Sequence, residues 1–356
     1  MPHEVDGGVV HFGVVRSCKL VAGGILTALL LAACGGTAAP AAQGSGSAAA
    51  LAGKPEKDHI KLVYATASGE DTFVELAASK GFFQKYGLTA DVQYAQSTTA
   101  MAAVTSGEAQ MALSDGVSAV DGVASGTPYK IVAYFDKTSP YMIASLPEIA
   151  TFADLKGKTV AVGKIGDTSD VSMRIGVKSS GLIPGKDFNV LQVGNSPARW
   201  AALSSKQVGA AILDEEAYRK QAEAQGMHIL ASLHSEGMPY VASALLLTSS
   251  FAKDNPNTVL ATLRGLMDGV AYFADEKNKA DVMALMAKLL RMDVNSPELA
   301  SIYNAYHTRA ATDPTPDKAG IDTILDALKS ADPNRYGSLT SDQLLDPSFM
   351  AKLKTP

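Results

Sequence analysis

Hydroxyl and carboxyl side chains follow three predicted strands in the first half of the chain. They fill the stretches 66–71, 96–99 and 114–116, each just before a predicted helix. Free N–H groups at a helix start favour an anion or a carbonyl oxygen. We therefore predict ligand contacts from Ser68, Asp71, Gln96, Ser97, Thr98, Ser114 and Asp115. Taken singly, each hydroxyl is more typical of an N-cap that serves only its own helix, so the ligand interpretation rests on the three loops as a set.

A second group of polar residues follows strands later in the chain. The stretch 166–170 starts a helix, the stretch 194–197 opens another, and acidic residues follow the predicted strand that ends near 213. From these we predict ligand contacts from Asp167, Thr168, Ser169, Asn195, Asp214 and Glu215. Thr168 and Ser169 could instead cap their helix. Ser196 is the expected N-cap of the next helix, with Pro197 at its first position.

Basic and aromatic residues near these loops leave two kinds of ligand open. Arg174 and Arg199 favour a small organic anion such as a sulfonate or a carboxylate, although Arg174 could instead pair with Asp170 four residues earlier. Tyr64, Tyr94 and Trp200 permit an aromatic or heteroaromatic ligand such as a pyrimidine or a flavin precursor. Core packing is an equally good interpretation of Trp200.

Alternating strands and helices with short loops position these residues. The segment 60–65 is a predicted strand, the pattern Thr72-x-x-Glu75 predicts a capping box that opens a helix, and 88–94 alternates as a strand with one solvated face. Such an order predicts an α/β fold in which crossover helices pack on a parallel sheet. Ligands of such sheets lie beyond the carboxyl ends of the strands.

One phrase occurs twice in the sequence. Residues 102–115 (AAVTSGEAQMALSD) align without a gap with residues 201–214 (AALSSKQVGAAILD). Each copy is typical of a helix end, a polar turn, a buried strand and a final acidic residue. The repeat predicts two similar lobes with a ligand cleft between them, and the two acidic exits should face each other across it.

Composition limits the function classes. The 356 residues carry 31 Lys and Arg against 36 Asp and Glu, which argues against nucleic-acid binding because that needs a basic excess. Beyond residue 34 there is no cysteine, so the body has no thiol nucleophile and no disulfide. We find no motif for a catalytic residue, a metal or a cofactor.

The N-terminus predicts export and lipidation. Arg16 and Lys19 precede an apolar run, residues 20–31, which has the length of a signal h-region, and small residues then lead to Cys34. This order resembles a bacterial lipobox, in which the cysteine is lipidated and becomes the mature N-terminus. A stretch rich in Ala, Gly and Ser follows and is typical of a flexible tether. We expect a signal peptide over 1–33 and a lipidated, tethered segment over 34–56.

Three further phrases resemble one protein family. Residues 78–88 (ASKGFFQKYGL), 102–108 (AAVTSGE) and 154–162 (DLKGKTVAV) are similar to segments of the periplasmic solute-binding proteins of the nitrate, sulfonate, taurine and thiamine-pyrimidine group. The chain departs from the family pattern at Gln110, Gly209 and Glu216. These departures leave the identity of the ligand open.

The resemblance implies a fold, partners and a location. The fold would be the two-lobed type II periplasmic-binding-protein fold, with a mixed sheet flanked by helices in each lobe and a hinge of two crossing strands near 136–141 and 237–240. Lobe 1 would comprise 57–137 and, with C-terminal helices, 240–356; lobe 2 would comprise 138–239. The partners would be a small-molecule ligand and the permease and ATPase of an ABC importer. The protein would be a monomer that is lipid-anchored at the extracytoplasmic face of the cell membrane. An enzyme resembling those of thiamine-pyrimidine synthesis and a sensory ligand-binding domain are the alternatives.

Overall fold

Two five-stranded sheets share one strand order in the computed structural model, which describes residues 53–65, 69–309 and 313–354. Cys34, Ser68 and the predicted signal peptide lie outside these ranges. The strands within them are β1 His59–Tyr64, β2 Thr89–Tyr94, β3 Met111–Ser114, β4 Tyr129–Thr138, β5 Tyr141–Ser145, β6 Thr159–Val162, β7 Asn189–Gln192, β8 Ala210–Asp214, β9 His228–Ser232 and β10 Pro239–Thr248.

Helices pack on the faces of both sheets. In the described ranges they are α1 Thr72–Ser79, α2 Ser97–Ser106, α3 Gly116–Ala124, α4 Thr168–Val177, α5 Ser196–Ser204, α6 Glu215–Ala224, α7 Ser249–Asp254, α8 Pro256–Ala274, α9 Lys279–Leu290, α10 Pro297–Arg309, α11 Lys318–Ala331, α12 Pro333–Tyr336, α13 Ser341–Leu344 and α14 Ser348–Lys354. None of these described helices combines the length and the apolar character needed to cross a bilayer.

The sheets are related by a common topology. Lobe 1 contains the sheet β2-β1-β3-β10-β4 and lobe 2 the sheet β7-β6-β8-β5-β9. In each, the first three strands are parallel and the fourth is antiparallel to both neighbours. The predicted α/β fold with a mixed sheet flanked by helices in each lobe is therefore confirmed. The repeated phrase contributes β3 and β8, the middle strands of the two sheets.

Strands at the centre of lobe 1 are apolar because both of their faces are covered. Met111 and Leu113 of β3 lie in one core with α1 and α8, whereas Ala112 faces the other core, which continues into lobe 2. A strand buried on both sides cannot alternate between apolar and polar residues. This explains why residues 111–113 of β3 are all apolar.

The chain passes between the sheets twice. It leaves β4 at Thr138, enters β5 at Tyr141 and returns through β10, which begins at Pro239. Thr138 and Pro239 are paired, so the two crossing segments lie side by side. The 136–141 and 237–240 segments coincide with these connections.

Two sequence expectations change in the structure. The capping box at Thr72 is wrong: Asp71 is the N-cap residue of α1, and the Thr72 hydroxyl donates to the Gly69 carbonyl instead. The C-terminal helices were expected on lobe 1, yet α11 packs on both β10 and α4 of lobe 2. Lys178 Nζ lies 3.0 Å from Asp326 Oδ2 across that contact.

Helices α1 and α8 approach closely at Gly269. A Cβ atom there would stand 2.3 Å from the Phe73 carbonyl oxygen. Gly269→Ala should therefore lower the free energy of unfolding by about 1–3 kcal/mol, although alanine is otherwise the better helix former by about 1 kcal/mol. Urea denaturation measures the change. Ala271→Leu, at an exposed position of the same helix, is the control and should be nearly neutral. Stabilisation by Gly269→Ala would contradict the close approach.

Candidate functional site

Aspartate side chains cap the helices that begin at the carboxyl ends of β3, β6 and β8. The bonds run to Asp115 from the Ser118 amide (2.8 Å), to Asp167 from the amides of Ser169 and Asp170 (2.9 and 3.0 Å), and to Asp214 from the Ala217 amide (3.1 Å). A carboxylate of the protein thus already complements each helix start. The anion-binding role expected of these helix starts loses its main physical basis.

The capping residues differ from some of those expected. Ser196 is not the N-cap of α5: Asn195 takes that place and accepts from the Ala198 amide at 3.1 Å. Thr168 and Ser169 lie inside α4, after the Asp167 cap. The Ser169 hydroxyl donates to Asp167 Oδ1 at 2.6 Å and accepts from the Gly163 amide at 2.7 Å.

Arg199 is bound within lobe 2. Arg199 is only 3% exposed. Its guanidinium group donates to the carbonyl oxygens of Ile212 and Gly194 and to the Ser196 hydroxyl. A Cβ at Gly163 would meet Asp167 Oδ2 at 2.3 Å and Arg199 Nη1 at 3.2 Å, so a side chain there would displace the Asp167 carboxylate. Arg199 therefore ties the loop after β7 and the start of α5 to β8.

Arg174 takes the intrahelical alternative. Its Nε lies 3.0 Å from Asp170 Oδ2, and the Asp170 side chain is fully buried. Both arginines that favoured an anionic ligand are therefore engaged within lobe 2.

Two tyrosines lie where the crossing strands begin. Burial raises the pKa of Tyr141, and the nearby carboxylates of Asp167 and Asp214 add to this. Burial likewise raises the pKa of Tyr240 well above its usual value, with contributions from Asp115 of lobe 1 and Asp167 of lobe 2. Tyr240 is thus flanked by carboxylates from both lobes.

Lobe 1 adds a buried ion pair and a further acid. Asp136 Oδ2 accepts from Nε and Nη2 of Arg309 at 3.1 and 3.0 Å, with both side chains almost completely buried. Beside them, burial and the carboxylates of Asp136 and Asp71 raise the pKa of Glu70 well above its usual range. Glu70 Oε1 has no hydrogen-bond partner among the described residues. Asp71 accepts from the Ser243 hydroxyl at 2.9 Å.

These groups form one connected set, which we call the acidic ring. Asp115 contributes to the raised pKa of both Glu70 and Tyr240, and Asp167 contributes to the raised pKa of both Tyr240 and Tyr141. Asp214 also contributes to the raised pKa of Tyr141, whereas the positive charge of Arg309, in the other lobe, acts to lower the pKa of Asp214. Its members are Glu70, Asp71, Asp115, Asp136, Tyr141, Asp167, Asp214, Tyr240 and Arg309. Burial raises the pKa of both Asp115 and Asp214, as expected for carboxyls withdrawn from water.

Two cavities of ligand size adjoin the ring. One of about 320 Å³ is lined by Tyr64, Tyr94, Asp71 and the end of α9. Another of about 630 Å³ lies between α6 of lobe 2 and the segment 290–306 of lobe 1. Both volumes fall in the range of small-molecule sites, and their walls are mainly apolar with a few charged groups.

Other predicted site residues lie apart from the ring. Glu215 is turned into lobe 2, where it accepts from the Ser232 hydroxyl and pairs with Arg219 at 2.6 Å. Gln96 precedes α2 without a side-chain cap bond, and Ser97 and Thr98 lie in its first turn. Trp200 packs on Tyr218 with ring centroids 5.5 Å apart, as the core interpretation predicts.

Several ring members were missed from the sequence. Glu70 lies in the loop before α1, within the predicted 66–71 stretch, Asp136, Tyr141 and Tyr240 lie in the crossing segments, and Arg309 ends α10. The available signal was the position of the first four at predicted turns and strand ends. Among the described residues, no group of three or more His, Cys, Asp or Glu has the arrangement to hold a metal ion.

Comparison with solved structures identifies the fold. A periplasmic sulfonate-binding protein, SsuA of Methylobacillus flagellatus, matches with a TM-score of 0.66 at 20% identity, over 83% of this chain and 93% of that one. The periplasmic nitrate-binding protein NrtA of Synechocystis matches with a TM-score of 0.62 at 15% identity, over 85% and 91%. The desulfurization enzyme DszB matches with a TM-score of 0.57 at 13% identity, over 83% and 98%.

Sequence comparison gives the family. No curated protein matches the chain significantly. The family model described as NMT1/THI5 like matches residues 70–280, more than half of the chain, and the match includes β2 to β10 together with the ring members up to Tyr240. The predicted resemblance and the periplasmic-binding-protein fold are confirmed, and the chain belongs to the NMT1/THI5-like family.

Proposed function

We propose that the chain is the solute-binding component of an ABC importer and captures a small organic molecule between its lobes. One observation carries this proposal: two sheets of equal topology turn their helix-starting ends toward one set of charged side chains and are joined by two adjacent crossings. The names of the structural neighbours, sulfonate- and nitrate-binding periplasmic proteins, support it.

Capture would proceed by closure of the lobes. The paired connections at Thr138 and Pro239 are short, and backbone rotation there changes the angle between the sheets. The solute would lie between the lobes, beside the two cavities and the acidic ring. Closure would exclude water from the ring. The closed form would present a combined surface of both lobes to the permease. No bond of the solute is made or broken.

The engaged arginines bear on the choice of ligand. Arg174 and Arg199, on which the organic-anion alternative depended, are bound within the protein. Tyr64 and Tyr94, with ring centroids 5.8 Å apart, line a cavity. This favours the aromatic or heteroaromatic ligand over the sulfonate or carboxylate.

We further propose that the protein is a monomeric lipoprotein held at the outer face of the membrane. The order of basic flank, apolar run, small residues and Cys34 supports this. Acyl chains on Cys34 would anchor the protein, since burial of each methylene contributes about 0.8 kcal/mol. Permease and ATPase are the remaining partners.

An enzyme on the same fold is the second candidate, because DszB shares the architecture. A solute recovered unchanged after prolonged incubation with the protein, as measured by mass spectrometry, supports binding. Its conversion at a rate that scales with protein concentration would replace the importer proposal with the enzyme.

The closure proposal predicts a distance change. Spin labels at Lys220→Cys on α6 and Glu298→Cys on α10, in a chain with Cys18→Ser and Cys34→Ser, should move closer when a solute binds. Pulsed electron resonance measures the distance. A pair within lobe 1, Ser106→Cys and Asp268→Cys, should not change. A solute that raises the melting temperature without shortening the distance between lobes would rule out closure.

The anchor proposal predicts a change of compartment. In a bacterial host that lipidates exported proteins, Cys34→Ser should move the protein from the membrane fraction to the soluble fraction, because the acylated residue is lost. Immunoblotting of both fractions measures this. Cys18→Ser, in the predicted signal segment, is the matched control and should leave the protein in the membrane. Retention of the Cys34→Ser protein in membranes would exclude this cysteine as the anchor.

A further inference from the structure

Carboxyl groups dominate the cleft. Among the described residues, the acidic ring holds six carboxyl side chains and one guanidinium group, and Arg199 adds a second cation behind it. We propose that the cleft takes an organic cation, a protonated amine or nitrogen heterocycle with an apolar or aromatic body. The inference rests on the proposed solute capture and names the ligand class.

The positive groups at and beside the acidic ring are already engaged within the protein. The starts of α3, α4 and α6 are complemented by Asp115, Asp167 and Asp214. Arg309 is paired with Asp136, and Arg199 donates to backbone carbonyls. An anion placed between the lobes would therefore meet carboxylates first, whereas a cation would be attracted by them.

Two buried hydroxyls in or beside the acidic ring have no hydrogen-bond partner in the part of the chain that the structure describes. Tyr240 is 2% exposed and Ser114 is 1% exposed, and neither hydroxyl has a hydrogen-bond partner among the described residues. The neighbouring Ser172 hydroxyl lies 3.0 Å from the Ser139 hydroxyl, with which it shares a hydrogen bond. Asp115 and Asp167 flank Tyr240 from the two lobes, and Ser114 directly precedes Asp115. Each hydroxyl has lone pairs that can accept an N–H from a ligand, and a buried polar group normally finds such a partner.

The cavity walls fit the rest of such a ligand. Tyr64 and Tyr94 line the smaller cavity, and Tyr306 lines the larger one. A cation over an aromatic ring is stabilised by the ring quadrupole. Two exposed cations, Arg291 and Lys220, also line these cavities. If the protein instead captured an anion, binding of that anion should depend on Arg291, so a variant of Arg291 distinguishes the two ligand classes.

The test compares probes of equal size and opposite charge. The full chain with Cys34→Ser is titrated with benzylamine, benzenesulfonate and benzyl alcohol, and separately with calcium, by calorimetry at low and high salt. Benzylamine should bind best, and salt should weaken its binding because screening reduces charge attraction. Asp115→Asn and Asp214→Asn should each weaken it at least about tenfold, a loss of about 1.4 kcal/mol.

The variants keep the fold intact by design. Asparagine caps helices about as well as aspartate, so the melting temperature of the free protein should stay close to that of the parent. Asp332→Asn, at the exposed start of α12 where Asp332 caps the Arg335 amide at 3.1 Å, removes the same charge elsewhere. It should leave benzylamine binding unchanged.

Three results would overturn the cation proposal. They are tighter binding of benzenesulfonate that is lost in Arg291→Gln, binding of calcium but not of benzylamine, or failure of every probe to bind. Benzenesulfonate binding accompanied by closure of the spin-labelled lobes would leave solute capture standing and change only the ligand class. Closure with no solute at all would instead remove the proposed function.

Discussion

Each lobe is completed by a strand that the chain supplies directly after crossing from the other lobe. β10 enters lobe 1 between β3 and β4, and β5 enters lobe 2 between β8 and β9. Without these strands, buried backbone groups on both neighbours would lack partners, which is costly in a folded interior. The backbone pairing of two central strands therefore fixes both lobes, and it places the crossings side by side. The positions of the helix starts and of Tyr141 and Tyr240 at the cleft depend on this exchange of strands between the lobes.

The same exchange determines the electrostatics of the cleft. Because the parallel strands of both sheets end at the cleft, the helix starts gather there, and the protein complements them with Asp115, Asp167 and Asp214. Tyr141 and Tyr240 arrive on the crossing strands and lie among these carboxylates. Burial raises the pKa of Asp115, Asp214 and both tyrosines, as expected for groups withdrawn from water.

Errors in the sequence interpretation share a physical origin. The capping rule assigned Thr72 and Ser196, but the neighbouring Asp71 and Asn195 hold the N-cap positions. The N-cap is the residue at which the backbone changes from the extended conformation after the strand to the helical one. Where this change occurs depends on how the strand is held in the sheet. The sequence places Arg199 near the predicted ligand loops and so favours an anion, yet its guanidinium group donates to carbonyl groups of β8 and of the loop after β7. Those carbonyls approach only after the sheet has formed.

The sequence by itself determined the elements, the two-lobed plan and the loops at the strand ends. Hydrophobic periodicity, glycine turns and a repeated phrase are local properties, and the repeat alone placed β3 and β8 in matching positions. Only the tertiary structure decided which charges meet. Glu70, Asp136 and Arg309 are far apart in the chain, and their proximity follows from strand exchange and from the packing of α10. Side-chain partners depend on such distant segments, so local pattern cannot assign them.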